Sequence, residues 1–452
     1  MRSTSLRVLC ALASQNGLQM RRWDFTAAYL QGSLLEGEVV YCLPPPGYDE
    51  KDVDGNSRVG RDGKPRMCRV EKPIYGMAQA GRRWQRSLFP WLEQEGFVAS
   101  ASDPCVFVRK CTRDTPSGPR AETVIVGCYV DDLFVLSSHN DEHSSYSEFT
   151  SRLTSCWDVE DEGEVSDLLN IEIAREGRHV VLRQRGYIEK LMQAFCPDGV
   201  PPSFQKNKAP CSKDIGQLVA DALVGELCTD RELLREYQSL VGALLYCSTQ
   251  TRPDVAYAVG MLSRAMGRPT PELLKEGKRV LHYLYLHRDV GLRYVADDFT
   301  PLYGMTDSDW AVKHSTSGYV FKLSGAIVSW ASKKQVSVAL SSAEAEIVAA
   351  SEASKEALAL RMFLADLGVH DGKPTSLASD NQAAIATAYN PEHHSRMKHV
   401  ERRHFFVREC VENLQIVVPY VPTCDNLADF FTKALEPKTF FAMRDKLMNV
   451  AH

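Results

Sequence analysis

Apolar positions recur along this chain at two spacings, and the spacing changes from segment to segment. VIVGCYVDDLFVLSS, residues 124–138, reads as two strand-like runs rich in Val, Leu, Phe and Tyr that meet near Asp131 and Asp132. AGRRWQRSLFPWLEQEGF reads as a helix closed at Gly96. Strands and helices alternate in this way to about residue 195. CPDGVPPSFQKNKAPCSKD, from Cys196, is rich in proline and polar residues and reads as a linker. From Arg231 to about Arg288 the period is helical, with Tyr237, Leu240, Leu244 and Leu245 on one face. Beyond Phe299, LYGMTDSDW and GYVFKLSGAIVSWAS read as strands, the second folding back at Ser324-Gly325. SSAEAEIVAASEASKEALALRMFLADLG is a run of strong helix formers ended by Gly368. TSLASDNQAAIATAY is a strand running into a helix, and LQIVVPYVPTCDNLADFFTKAL reads as the same plan again. Acids stand at these strand–helix junctions, which predicts an α/β layer with a site at its strand ends.

The 452 residues are enough for two or three domains with their own cores. No apolar run reaches the length of a membrane span, and the start lacks the plan of a signal peptide, so an intracellular protein is expected. The 13 cysteines include no C-x-x-C pair, which argues against a zinc ribbon, and they read as reduced. The formal net charge of −5 hides basic patches. Nine Lys/Arg stand against Asp62 and Glu71 between Ser57 and Ser87. A second cluster holds Arg396, Lys398, Arg402, Arg403 and Arg408 among His393, His394, His399 and His404. Such patches suit either a solvated face or a nucleic-acid backbone.

Asp131 and Asp132 lie where burial of a charge is costly unless it is paired or bound to a metal. Neighbouring side chains on a strand face opposite ways, so a turn must intervene for both to serve one site. Asp24, in RRWDFTAAYLQG, can supply a third carboxylate. Carboxylates brought together repel unless cations neutralise them, and Mg2+ prefers oxygen ligands. The other reading is a polar hairpin tip with a surface aspartate. In the last section the candidates are Asp307, Glu344 or Glu346, Asp380 and Asp429. Ser341 followed by Glu344 is a capping box, which ties Glu344 to the helix start and leaves Glu346 for a site. Asp429 is expected in the first turns of a helix that Asp425 could cap.

YVDD with WDFTAAYLQG upstream resembles the palm of reverse transcriptases. YGMAQAGRRW, GFVASASDPCVF, RQRGYIEKLMQAF, YQSLVGALLYCSTQTRPDVAYAV and STSGYVF follow in an order similar to the Pol polyprotein of copia-type LTR retrotransposons. The resemblance covers nearly the whole chain. It implies a multidomain α+β and α/β protein: a palm over residues 1–195, a linker and helical thumb or connection over 196–298, and a ribonuclease H-like domain over 299–452. It implies an RNA-directed DNA polymerase with ribonuclease H activity, using Mg2+, or Mn2+ in its place, in two-metal phosphoryl transfer and hydrolysis. Asp24 and Asp131 would bind the two ions, with Asp132 completing the cluster. Tyr29 would select dNTPs against a ribose 2′-OH, and Gln79 would line the nucleotide pocket. Asp307, Glu346, Asp380 and Asp429 would form the second centre, with His399 moving substrate or product near it. RNA template, DNA primer, RNA–DNA hybrid and dNTPs are the implied partners, with other parts of a Pol polyprotein beside them and no membrane. The implied location is a cytoplasmic virus-like particle, with nuclear entry in addition.

Against that plan, the chain starts almost at the first palm helix, so the fingers segment that holds the triphosphate is expected to be missing. The family's FLGIEI stands here as LLNIEI, with Asn170 in place of glycine, and DSDWAVKHSTSG shortens the loop after Asp307. A truncated, catalytically impaired nucleic-acid-binding remnant, or ribonuclease H activity alone, are therefore the alternatives. The ribonuclease H section reads as self-contained.

Overall fold

The computed structural model describes residues 1–45, 67–116, 118–311, 314–389 and 401–450. The chain forms two compact units. One comprises Gln19–Ser100 and Pro104–Glu164 with Met1; the other comprises Arg2–Leu18, Ala101–Asp103 and Val165–His452.

Helix α1 (Ser3–Asn16) is almost wholly apolar between Leu6 and Ala13, and Gly17 closes it at φ +63°, a conformation that costs glycine little. It belongs to the second unit.

In the first unit come β1 (Gln19–Phe25), α2 (Ala28–Gln31), β2 (Tyr41–Cys42), β3 (Cys68–Arg69), α3 (Ala80–Gln94) and β4 (Val98–Ala99). They are followed by β5 (Val106–Thr115), β6 (Gly118–Tyr129), β7 (Asp132–Ser137), α4 (Ser145–Cys156) and β8 (Val159–Glu164). Six of the strands make one antiparallel sheet in the order β4-β5-β6-β7-β1-β8. Alternation on the strands sends Trp23, Phe25, Val124, Val126, Leu133 and Val135 to one face. There they meet Trp84, Leu88 and Leu92, one turn apart on α3, and Phe149 and Leu153 on α4. Each such side chain contributes roughly 1.5–3 kcal/mol by leaving water. This layer of aromatic and branched residues is what fixes the β6–β7 hairpin over the sheet.

The second unit continues with β9 (Asp167–Leu168), β10 (Ile171–Glu176), β11 (His179–Arg183), α5 (Arg185–Phe195), α6 (Ile215–Val224), α7 (Arg231–Gln250), α8 (Ala256–Ser263), α9 (Pro271–Leu286) and β12 (Leu292–Tyr294). Its small sheet runs β12-β11-β10-β9, so the segment just before the expected boundary at 195 pairs with a strand beyond the helices. Leu169 and Asn170 both stand at φ +56° in the two-residue turn between β9 and β10. Asparagine tolerates that left-handed turn better than most residues.

The last part holds β13 (Tyr303–Asp309), β14 (Thr316–Leu323), β15 (Ala326–Lys334), α10 (Ser342–Asp366), β16 (Thr375–Ala378), α11 (Gln382–Tyr389), α12 (Glu401–Glu412), β17 (Ile416–Val417) and α13 (Pro437–Met448). The sheet order is β15-β14-β13-β16-β17, antiparallel through the hairpins and parallel from β13 to β16 and β17. This is the ribonuclease H-like α/β layer. The second strand–helix repeat expected after residue 414 is reduced: β17 is two residues long, and Leu427–Phe431 is a 3-10 turn, not an α-helix.

The ribonuclease H section, expected to be self-contained, is packed against α1 in the second unit. The α1 side chain Arg7 is buried, donating from Nε to the Val328 carbonyl at 2.7 Å and from Nη1 to the Thr249 and Gln250 carbonyls at 2.8 and 2.9 Å. Its guanidinium lies 4.1 Å from the Trp330 ring centre. Ser14 donates to the Tyr294 carbonyl at 3.0 Å, and Gln15 donates to Asp298 O at 2.7 Å. Among the described residues, no helix is long and apolar enough to cross a membrane.

Candidate active sites

Asp24 sits at the end of β1 directly opposite Asp132 on β7. Asp131 and Val130 form the two-residue turn between β6 and β7, and Val130 takes φ +55°, which is strained for a β-branched residue. Three bonds hold that turn. The Trp84 indole donates to the Val130 carbonyl at 2.7 Å, the Phe25 N–H donates to the Asp131 carbonyl at 2.9 Å, and the Tyr75 hydroxyl donates to Asp131 Oδ2 at 2.8 Å. Burial, and then the Asp131 carboxylate that accepts its proton, push the Tyr75 hydroxyl up to about 12. Like charges directly opposite each other destabilise a sheet. Arg22 relieves this pair, giving Asp132 Oδ1 a bond at 2.8 Å and Glu162 one at 3.1 Å. Burial raises the Asp24 carboxyl, with Glu162 adding to it, and burial raises Asp132 against the pull of Arg22.

Tyr29 stacks near Tyr75, ring centres 4.5 Å apart, and lines a cavity of about 260 Å3 with Trp84, Cys128 and Val130. Gln79 points elsewhere: its amide donates to Glu38 Oε1 at 3.2 Å, beside the Arg83 fork that holds Glu38. That contact is where the structure places it.

At the second centre, Asp307 on β13, Glu346 in the second turn of α10 and Asp380 just after β16 bring one carboxylate oxygen each within 4.8 Å of one another. No other group of three potential ligands meets that spacing among the described residues, so Asp24, Asp131 and Asp132 are neighbours without such convergence. Parallel pairing of β13 with β16 puts Asp307 and Asp380 at the same strand ends, and α10 crosses that sheet with Glu346 facing it. Glu346 is 6% exposed, and its Oε2 is buried without a hydrogen-bond partner among the described residues. Burial first, then Asp307 and Asp380, raise it to about 8. Burial likewise raises Asp307, with Asp429 adding to it, while the Thr432 hydroxyl that donates to Oδ2 opposes the shift. Asp429 stands one step out. Lys433 binds its Oδ2 at 2.7 Å, and its buried Oδ1 lacks a partner. Buried carboxylate oxygens with unspent lone pairs and no nitrogen or sulfur ligand suit a hard divalent cation.

Glu344 is tied to the helix start as expected, with its side chain reaching one residue past the Ser341 cap. Its N–H donates to Ser341 Oγ at 3.2 Å, and its Oε2 accepts the Leu340 N–H at 2.7 Å. Asp425, expected as the cap for Asp429, is not one. Asn426 caps that turn, its Oδ1 accepting the Ala428 N–H at 3.1 Å. From the other end its amide donates to the Thr306 carbonyl at 3.1 Å and to Asp380 Oδ1 at 3.3 Å. Asn426 thus ties the strand carrying Asp307 to Asp380, and sequence reading passed over it, as it did Tyr75, Arg22 and Thr432. Asparagine before a helical turn is a cap signal that could have found the first of these; the others are long-range contacts with no local pattern. His399 lies outside the described residues.

An antiparallel palm sheet with an aspartate hairpin, and a ribonuclease H-like sheet gathering acids at its strand ends, define a protein with two acidic clusters, of which the second converges in the manner of a divalent-cation site. Residues 1–200 match the family described as reverse transcriptase (RNA-dependent DNA polymerase). Over nearly its whole length the chain is similar to the retrovirus-related Pol polyproteins of copia-type elements. It is 30% identical to the Pol polyprotein from transposon TNT 1-94 of Nicotiana tabacum, over 99% of this chain and 32% of that protein. It is 32% identical to that from transposon RE1 of Arabidopsis thaliana, over 99% of this chain and 28% of that one. The chain therefore spans about a third of the length of these relatives. Among solved structures, a foamy viral protease-reverse transcriptase in complex with RNA/DNA hybrid aligns over 96% of this chain and 47% of that one, at 13% identity and a TM-score of 0.49.

Proposed function

We propose that the chain is an RNA-directed DNA polymerase with ribonuclease H activity, acting with Mg2+ on primed RNA, dNTPs and RNA–DNA hybrid. The observation that carries the reading is the convergence of Asp307, Glu346 and Asp380 on one point, with a Glu346 oxygen left unpartnered. Those three would hold the cation, which supplies a nucleophilic water and charge neutralisation when bound. Asn426 fixes the distance between the strand ends, Thr432 orients Asp307, and Lys433 shares charge with Asp429. In the palm, Asp24 and Asp131 would take the metals, Tyr75 orients the Asp131 carboxylate, and Tyr29 stands where a sugar edge could be read. The test is paired: extension of a primed RNA template, and cleavage of labelled RNA in a hybrid. Asp131→Asn should abolish only the first and Glu346→Gln only the second, each in a chain that still folds by circular dichroism.

Hybrid cleavage without polymerisation is the second reading. It is favoured by the contrast between the centres, since Asp132 is engaged by Arg22 and the palm aspartates do not converge as the other three acids do.

A further inference from the structure

Beside the second centre, within the second unit, is a cavity of about 320 Å3 that the reading above leaves without a role. One wall is apolar and comes from α6, where Val219 and Leu223 line it. The opposite wall carries Arg264, His314 and Lys334, with Asp309 at its edge. Arg264 is half-buried at the end of α8, and its described hydrogen bond goes to a neutral group, the Thr316 hydroxyl, at 3.0 Å. His314 Nδ1 is buried and has no hydrogen-bond partner among the described residues. Asp309 offsets one of the cationic charges, and the second, Lys334, beside an unsatisfied ring nitrogen leaves room for a further anion to complete the site. Lys334 lies across the ladder from Thr316, so its charge adds to the same mouth.

The position of this wall gives the anion a source. Asp309 is two residues beyond Asp307 on β13, on the same face of the strand and about 7 Å along it. A strand whose scissile phosphate sits at the Asp307–Glu346–Asp380 point would pass the cavity mouth with its next phosphates. An apolar wall facing a cationic one matches a sugar–phosphate unit, with the sugar against α6 and the phosphate on the cations.

We propose that this cavity is a backbone subsite in which Arg264, Lys334 and His314 bind a phosphate of the nucleic-acid strand running into the second centre. Its role rests on the hybrid-cleavage reading; the binding itself does not. The full chain carrying Glu346→Gln, which keeps the hybrid intact, is titrated with fluorescent RNA–DNA hybrid across about 50–200 mM salt. Arg264→Gln should weaken binding about tenfold and lower the log–log salt slope by about 1, whereas Arg264→Lys should keep the slope. Lys334→Gln, at an exposed position, should act in the same direction and decides the matter if Arg264→Gln fails to fold by circular dichroism. Unchanged affinity and slope in the folded variants overturn the proposal, as does a parent that does not bind hybrid at all. Inorganic phosphate that raises the melting temperature of the parent, with hybrid binding unmoved by Arg264→Gln, overturns the strand assignment in favour of a free-anion site. If the unmodified chain binds hybrid without cutting it and Arg264→Gln still weakens binding, the subsite stands and the cleavage reading falls.

Discussion

Glu344 and Glu346, one alanine apart at the start of α10, meet different neighbours and should fail differently. Glu344→Gln loses part of a cap and should lower stability by about 1 kcal/mol with cleavage retained. Glu346→Gln should lose cleavage without losing stability, and without divalent ion near pH 8 should be the more stable chain, read by urea unfolding and hybrid cutting on the same samples. The raised Glu346 carboxyl also sets a pH dependence. Without divalent ion it keeps its proton in the folded chain up to about 8, whereas unfolded it ionises near 4.5. Unfolding between those values releases a proton, so this group's contribution to stability is full below 4.5 and is lost as pH rises through about 8. Melting temperatures in EDTA should fall across that window, Mg2+ should flatten the fall, and Glu346→Gln should reduce it. An identical slope in the variant would place the titration elsewhere. The separation of the two glutamates was legible in the sequence because a capping box is local. The cap at Asn426 was as local, but its tie to the site was not legible, because its partners Thr306 and Asp380 are 120 and 46 residues away.

Among the elements, hairpins and helices followed their patterns where local chemistry decided them. The β6–β7 turn at the aspartates, the fold-back at Ser324-Gly325 and the α10 start fell where period and turn residues put them. The stretch after Gln415 did not, because its apolar residues fill space against β14 and β13 in a short 3-10 segment without forming an α-helix. The β9–β10 turn offers a test of element-scale strain. Asn170 at φ +56° should tolerate glycine, whereas Asn170→Ala should cost about 1 kcal/mol, measured by chemical denaturation. Equal stability of the two variants would mean that the turn relaxes without the left-handed conformation.

For the whole molecule, the consequence of α1 is that the second unit draws on both ends of the described chain. Arg7→Met leaves buried carbonyls of Val328, Thr249 and Gln250 without their donor, at about 1–3 kcal/mol for each group that water cannot reach. Residues 299–452 alone should accordingly give poorly dispersed NMR spectra. Adding residues 165–298 and supplying 1–18 in trans should restore them; a folded 299–452 fragment would contradict this account of α1. Periodicity could not reveal that dependence, since an apolar helix does not state which layer it will cover. The central claim, that Asp307, Glu346 and Asp380 form a metal-dependent phosphodiester-cutting centre, is tested most directly with the full chain, labelled RNA–DNA hybrid and Mg2+. The RNA strand should be cut, duplex DNA of the same sequence should stay intact, and Glu346→Gln should be slower by at least about 100-fold at equal hybrid affinity. Equal cutting by Glu346→Gln, or hybrid bound tightly and left whole by the unmodified chain, would contradict it.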